Sequence, residues 1–264
     1  MAPAFDLTLG YPQWQGSGRG GKLPRGAAAT AAVCSRFAPL VPVPLSEAAG
    51  DALDVHRWQA ILENFQAAQA LLEERRPKRL LTAGGDCAVD IAPIDYLHTL
   101  YPDLSVIWID AHPDANTPAT SQSGNFHGMP VSAIMGLAPE PMRRMLGAPV
   151  DPARFRYHGI RDVDDGEAAF RREHGLALLD PQALPTGPVH VHFDLDVLDP
   201  DAFPYLAYPT PGGLAVAEAI ALVRRIAAEA DLVGLAITEF APADDGEAQA
   251  GSKVIAALCE AAVG

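Results

Sequence analysis

Six short apolar runs alternating with five longer stretches of helical spacing predict an α/β protein with a central, mainly parallel sheet. Strands that alternate with helices pair in parallel and need helices on both faces, so three layers, α/β/α, are expected. The first strand is Phe5–Leu9. Arg79–Ala83 and Val106–Asp110 follow, the second of them almost wholly apolar. Phe155–Gly159, Val189–Asp194 and Leu232–Ile237 complete the set. The helical stretches are Arg57–Arg76, Ala88–Leu100, Asp164–His174, Leu214–Ala230 and Lys253–Val263. In the first of these Trp58, Ile61, Leu62, Phe65, Ala68, Leu71 and Leu72 share one face, with charge opposite. Length alone would allow two domains at roughly 150 residues each. No internal repeat, low-complexity tract or linker divides the 264 residues, so one domain over 1–264 is expected. In such sheets ligands bind beyond the carboxyl ends of the strands.

Composition excludes several function classes. A net charge of −14 opposes the basic face that a nucleic-acid partner requires. No stretch approaches the ~18 consecutive apolar residues that span a bilayer. The first cation is Arg19, and Asp6 interrupts the place of a signal-peptide core. Cys34, Cys87 and Cys259 are too few and too widely spaced for a disulfide framework. A cytoplasmic protein with no membrane partner is expected, with Cys34 and Cys259 on apolar helical faces.

The chemical signal lies where the acids fall. Val106–Ile109 runs into Asp110-Ala111-His112-Pro113-Asp114. If the chain stays extended there, residues 110, 112 and 114 point the same way. In Val189–Asp196, the side chains of Val191, Phe193 and Leu195 take one face, and His192, Asp194 and Asp196 the other. A single aspartate after a strand is ordinarily a helix cap or a solvated loop residue. Two such clusters at the apolar centre are costly unless cations neutralise them. One imidazole among many carboxylates suits Mn²⁺ first, then Co²⁺, Fe²⁺ or Zn²⁺. A pair of such ions can hold a hydroxide between them near neutral pH.

Five segments, in order, carry a resemblance. They are Ala83-Gly84-Gly85-Asp86-Cys87, Asp110-Ala111-His112-Pro113-Asp114, Ser123-Gly124-Asn125-Phe126-His127-Gly128, Asp194-Leu195-Asp196-Val197-Leu198-Asp199-Pro200 and Thr238-Glu239. This series resembles the signature set of the ureohydrolase (arginase/agmatinase) family across nearly the whole chain. The resemblance implies two Mn²⁺ ions bridged by Asp110 and Asp194. Asp114 would complete the first site, His112 and Asp196 the second. It also implies His127 as proton shuttle and Glu239 as the anchor of a guanidinium. Attack on the guanidino carbon would come from a metal-bridging hydroxide held by Asp114. Within the family the chain is similar to arginase-type members. Asn116, Ser123 and Asn125 occupy the places that hold a substrate α-carboxylate, and Asp164 and Glu167 those that reach an α-ammonium. Agmatine lacks the carboxylate, and a polar site left unpaired rejects it. The partner implied is therefore a small guanidino amino acid.

Cys87 departs from the family pattern, which has His there as a ligand of the first metal. A lone cysteine at a strand end is otherwise a small buried hydrophobe. As a thiolate ligand it leaves the cluster one unit more negative than imidazole would, hence a weaker Lewis acid. Such a site favours an easier substrate. The family branch with Cys at this ligand acts in D-cycloserine biosynthesis and splits Nω-hydroxy-L-arginine into hydroxyurea and L-ornithine. That reaction is expected here. Hydrolysis of L-arginine to urea and L-ornithine, and a metal-poor protein that binds without catalysis, are the alternatives. His192 stands where arginases have a small residue, and is either a partner of a metal ligand or an ordinary buried histidine. Gly16-Ser17-Gly18-Arg19-Gly20-Gly21 lacks the ending of a phosphate loop and reads as a structural loop before a Pro24-Arg25-Gly26 turn. The acids from Asp162 to Glu167 also suit a helix N-terminus. The chain ends directly after its last helix, without the extension that helps arginases form trimers and hexamers, so a monomer or small homo-oligomer is expected.

Overall fold

The computed structural model describes residues 5–264. Eight strands form one sheet: β1 (Leu7–Tyr11), β2 (Leu40–Pro42), β3 (Leu80–Gly84), β4 (Ser105–Ile109), β5 (Phe155–His158), β6 (Ala177–Leu178), β7 (Pro188–Asp194) and β8 (Asp231–Thr238). Their order is β2-β1-β3-β8-β7-β4-β5-β6, and every neighbouring pair is parallel. The main helices are α1 (Leu23–Cys34), α2 (Trp58–Arg75), α3 (Ile91–Leu100), α4 (Asp165–His174), α5 (Val216–Glu229) and α6 (Asp245–Val263). None of the helices among the described residues is long and apolar enough to cross a membrane.

Strand alternation divides the core into two layers. Val106 and Trp108 pack with Ile61 and Phe65 of α2, Ile94 of α3 and Phe170 of α4. Ile107 and Ile109 pack on the other face with Cys34 of α1, Val223 and Ile226 of α5, and Leu258 of α6. The three-layer fold with its parallel sheet is thus as expected, and its central strands read as continuous apolar runs because both faces are covered.

Several local expectations are corrected. Residues 23–34, which include the expected Pro24-Arg25-Gly26 turn, are the helix α1. Pro24 sits in its first turn, where a missing N–H costs nothing. The edge strands β2 and β6 are additional; both are short and exposed enough to carry no apolar signal. The last helix begins at Asp245 rather than Lys253, because the Asp244 side chain accepts the Glu247 amide at 2.9 Å and caps it. Arg57 lies outside α2, in a left-handed conformation with φ 53°. Residues 110–114 do not continue β4 as an extended run. The chain bends, and Asp114 adopts φ 49°. Asp196 belongs to a 3₁₀ turn, Leu195–Val197, rather than to β7. Cys34 and Cys259 are buried free thiols with sulfurs 3.8 Å apart, as their apolar faces suggest.

The adjacent strands β3, β8, β7 and β4 all end on the same side of the sheet. The candidate site lies beyond these four carboxyl ends.

Candidate active site and metal centre

Each of the four strand ends delivers one part of the site. β3 ends at Gly84, and the chain turns at Gly85, where a Cβ would strike the Gln13 carbonyl. The turn leads to Asp86, which is fully buried and holds its surroundings. Its carboxylate accepts from Gln13 Nε2 at 3.0 Å, the Gly16 amide at 2.8 Å and the Ala88 amide at 3.1 Å. The Gly16–Gly21 segment is therefore a loop tied to the site by Gly16, in keeping with its reading as structural. Cys87 follows directly and is buried.

Beyond β4, Asp110 Oδ2 accepts from Trp108 Nε1 at 2.9 Å, and Oδ1 accepts the His112 amide at 2.6 Å. At the end of β7, Asp194 Oδ1 accepts the Asp196 amide at 2.7 Å, while the Cys87 thiol donates to Oδ2 at 2.8 Å. Asp196 is joined to the β4 turn by the Ala111 amide at 3.1 Å, and by His112 Nδ1 at 2.9 Å. Glu239, the first residue after β8, has φ 60°. Asp114 and Glu239 are thus both in the left-handed region that non-glycine residues avoid, and such strain concentrates at functional sites.

Three groups of candidate ligands result among the described residues. Donor atoms of Cys87, Asp110, Asp114 and His192 lie within 4.8 Å of one another, as do those of Asp110, His112 and Asp196. Cys87 also forms such a group with Asp194 and Glu239. The six expected ligands Cys87, Asp110, His112, Asp114, Asp194 and Asp196 are spread over these groups, Asp110 and Cys87 each belonging to two, and Asp194 stands with Cys87 and Glu239 rather than with Asp110. The convergence comes from the bend after β4 and the turn after β7, not from extended alternation.

Burial in a carboxylate-rich site shapes the protonation of these groups. It pushes Asp194 and Asp114 well above the usual carboxylate range, and neighbouring acids push in the same direction. Burial and then Asp110 raise Asp196 to about 6, and burial with Glu239 raises Asp86 to about 7. The Cys87 thiol is raised by burial and by Asp194. Burial alone would lower His112, but Asp110 and Asp196 outweigh it and raise the imidazole. Asp114 Oδ2 and both Glu239 oxygens are buried without a hydrogen-bond partner. Orphaned carboxylate oxygens among hard and borderline donors fit divalent cations, which would remove a penalty of several kcal/mol per unpaired ion.

Above this floor opens a cleft of about 210 Å³. His127 and Tyr208 form a wall, their rings 4.9 Å apart, and Arg19 stacks over Tyr208 at 4.7 Å. His127 Nδ1 is 3.5 Å from Glu239 Oε1, and this carboxylate raises its pKa against the opposing effect of burial. Ser123, Asp162, Asp164 and Glu167 also line the cleft. Asp164 caps α4 by accepting the Glu167 amide at 2.9 Å, and Glu167 returns the bond to the Asp164 amide at 3.1 Å. Burial raises Glu167 to about 7. Asn116 stands behind the cleft, with Nδ2 donating to Asp164 at 2.8 Å and Oδ1 accepting from Thr120 at 2.8 Å. Asn125 lies on a neighbouring groove with Gly18 and Trp14.

Tyr208 and Asp162 escape a sequence reading. Tyr208 sits in a Pro-rich loop without periodicity, and Asp162 has no spacing that separates it from the capping acids. Arg161 carries no such signal either, yet its guanidinium donates to the carbonyls of Asp196 at 2.8 Å and Thr210 at 2.6 Å, pinning that loop to the β7 turn.

Known proteins match this chain in sequence and in fold. The profile of the arginase family matches residues 43–185 and 181–264. Arginase from Saccharomyces cerevisiae is 33% identical over 189 residues, covering 61% of this chain and 56% of that protein. An arginase from Schizosaccharomyces pombe is 31% identical over 226 residues, covering 75% of this chain and 68% of its own. With arginase from Eremothecium gossypii the identity is 35% over 61% of this chain and 46% of the relative. The matches thus span about half the length of the Eremothecium and Saccharomyces relatives. Entamoeba histolytica arginase in complex with L-ornithine has the same fold, with TM-score 0.85 at 20% identity over 98% of this chain and 97% of that one. Proclavaminate amidino hydrolase from Streptomyces clavuligerus gives TM-score 0.73 at 22% identity, over 98% and 90%.

Proposed function

Because this chain belongs to the arginase family, we propose that it is a metal-dependent amidinohydrolase acting on an L-arginine-type amino acid, with Nω-hydroxy-L-arginine as its substrate and hydroxyurea and L-ornithine as products. The observation that carries the reading is the cleft floor, where buried carboxylates without partners surround a thiol at residue 87.

Cys87, Asp110, His112, Asp114, Asp194 and Asp196 would hold two Mn²⁺ ions. Bound there, the ion pair supplies a water ionised near neutral pH and charge stabilisation at the guanidino carbon. Glu239 pairs with the guanidinium through its two free oxygens, fixing the carbon over the floor. His127, raised by Glu239, carries the proton to the departing amine nitrogen of ornithine. Asp164 and Glu167 hold the α-ammonium, and Ser123, with Asn116 and Asn125 behind and beside it, the α-carboxylate. Water adds to the guanidino carbon, the bond to the ornithine nitrogen breaks, and the proton on that nitrogen balances the reaction. Bound to a cation as a thiolate, Cys87 would make the site less electrophilic, which favours the N-hydroxylated guanidine: electron withdrawal by its oxygen eases attack.

Product analysis with Mn²⁺ and each of Nω-hydroxy-L-arginine, L-arginine and agmatine tests this. The hydroxylated substrate should give the highest kcat/KM, and agmatine none that is measurable. Cys87→His should raise kcat/KM for L-arginine about tenfold, roughly 1.4 kcal/mol of barrier. A higher kcat/KM for L-arginine in the wild-type protein would make it an arginase. Failure to retain Mn²⁺ would make it a binding protein.

A further inference from the structure

A second buried polar cluster lies directly under the cleft floor. Asp90, His190 and His192 are all fully buried. Asp90 Oδ2 accepts from His190 Nε2 at 2.7 Å and from His192 Nδ1 at 2.9 Å. Three ionisable side chains without solvent are expensive to bury, and here Asp90 Oδ1 and His190 Nδ1 are left without a hydrogen-bond partner.

The surroundings hold the His192 ring in one orientation. It stacks on the Trp108 indole with centroids 3.5 Å apart and planes 3° from parallel. Trp108 faces His192 in the β4–β7 register, and its Nε1 donates to Asp110. With the Asp90 carboxylate on Nδ1, the proton sits on Nδ1 and the lone pair of His192 on Nε2. Nε2 has only the Thr238 hydroxyl near it, at 3.3 Å, and that hydroxyl has the Phe193 carbonyl as another partner at 3.5 Å. A nitrogen of His192 falls in the same 4.8 Å group as donor atoms of Cys87, Asp110 and Asp114. A carboxylate on one imidazole nitrogen, with the other nitrogen's lone pair meeting only a hydroxyl at 3.3 Å, forms the relay that orients histidine ligands of metals. His190 has no comparable outlook. Its Nδ1 is without a partner and turns toward Gly234, where a side chain would collide with it.

We propose that His192, aligned by Asp90, is a ligand of the cation site formed with Cys87, Asp110 and Asp114. This rests on the metal-dependent reading above. The imidazole that the family resemblance expects at residue 87 then reaches the site from β7 instead, and Asp90 and His190 are positioning residues for it.

The test is ¹H NMR of the full chain loaded with Co²⁺ and labelled with ¹⁵N-histidine. A ligating His192 gives a strongly hyperfine-shifted Nδ1–H that exchanges slowly, because it is buried against Asp90. The half-exposed His112 exchanges fast. The slow signal should be present in the wild-type protein, absent in His192→Ala, and faster to exchange in Asp90→Asn. Bound Co²⁺ without a slow shifted imidazole N–H in the wild-type protein overturns this inference alone. No Co²⁺ binding at all overturns the metal-dependent reading with it. Since the wild-type spectrum decides, a His192→Ala chain that does not fold leaves the test intact.

Discussion

Glu239 is where function and stability oppose each other most directly. Both its oxygens are buried without a hydrogen bond, the His127 imidazole standing 3.5 Å from Oε1, and its backbone is in the left-handed region. A buried carboxylate so poorly satisfied destabilises the ligand-free protein, while the same oxygens are what a guanidinium requires. Glu239→Gln should therefore raise the stability of the metal-free protein by about 1 kcal/mol while lowering kcat/KM at least about 10²-fold, as for loss of a desolvated charge pair. Denaturant melts and steady-state assays on the same preparation check this; a variant both less stable and fully active would refute the assignment. At this scale much of the site is legible in the sequence, because Cys87, Asp110, His112, Asp114, Asp194 and Asp196 sit immediately after apolar runs. Trp108, Asp90 and Tyr208 are not legible. Their roles depend on which strand lies beside which: the contact of Trp108 with His192 follows from β4 pairing with β7, a register that local periodicity does not encode.

Among the elements, α1 shows both why the sequence misleads and how tightly the site is framed. Its alanines at 27–29 and 31–32 give little amphipathic contrast, so the segment has no helical stripe to read. The edge strands β2 and β6 escape for the opposite reason, since two or three exposed residues cannot show an alternation. The central strands and α2 are legible because each buries a continuous face. Gly26 of α1 lies against the carbonyl of Phe240, the residue after Glu239, and a Cβ there would collide with that backbone. In a free helix Gly→Ala stabilises by about 1 kcal/mol. Gly26→Ala should instead destabilise by more than about 1 kcal/mol and displace the Glu239 turn, raising KM. Thermal melts together with KM measurements test it; a variant more stable than wild type, with KM unchanged, would show that α1 and the Glu239 turn are not in contact.

For the whole molecule, the decisive quantity is the charge it buries. The chain carries 33 acids against 19 basic residues, and part of that excess converges on the four strand ends. Asp86 and Glu167 are raised to about 7 and Asp196 to about 6, well above their values in an unfolded chain, and His112 and His127 are raised as well. A folded-state pKa above the unfolded one means that the folded protein binds more protons between the two values. Its stability then falls as pH rises through the folded pKa. These acids and the two raised histidines act in the same direction in this window; Asp110 and Asp90, both lowered, titrate below it, and His158, lowered by burial, opposes them in part. The metal-free protein should therefore gain about 2 kcal/mol on going from pH 8 to pH 6, at about 1.4 kcal/mol per proton and pH unit. Divalent cations bound among these acids would replace those protons. Saturating Mn²⁺ at pH 8 should raise Tm and flatten the pH dependence, by mass action on the folded state alone. Melts at both pH values, with chelator and with Mn²⁺, make the comparison. Metal-free stability that is level or rises from pH 6 to pH 8, or a Tm indifferent to Mn²⁺, would mean that the buried acids are not held against one another at the strand ends.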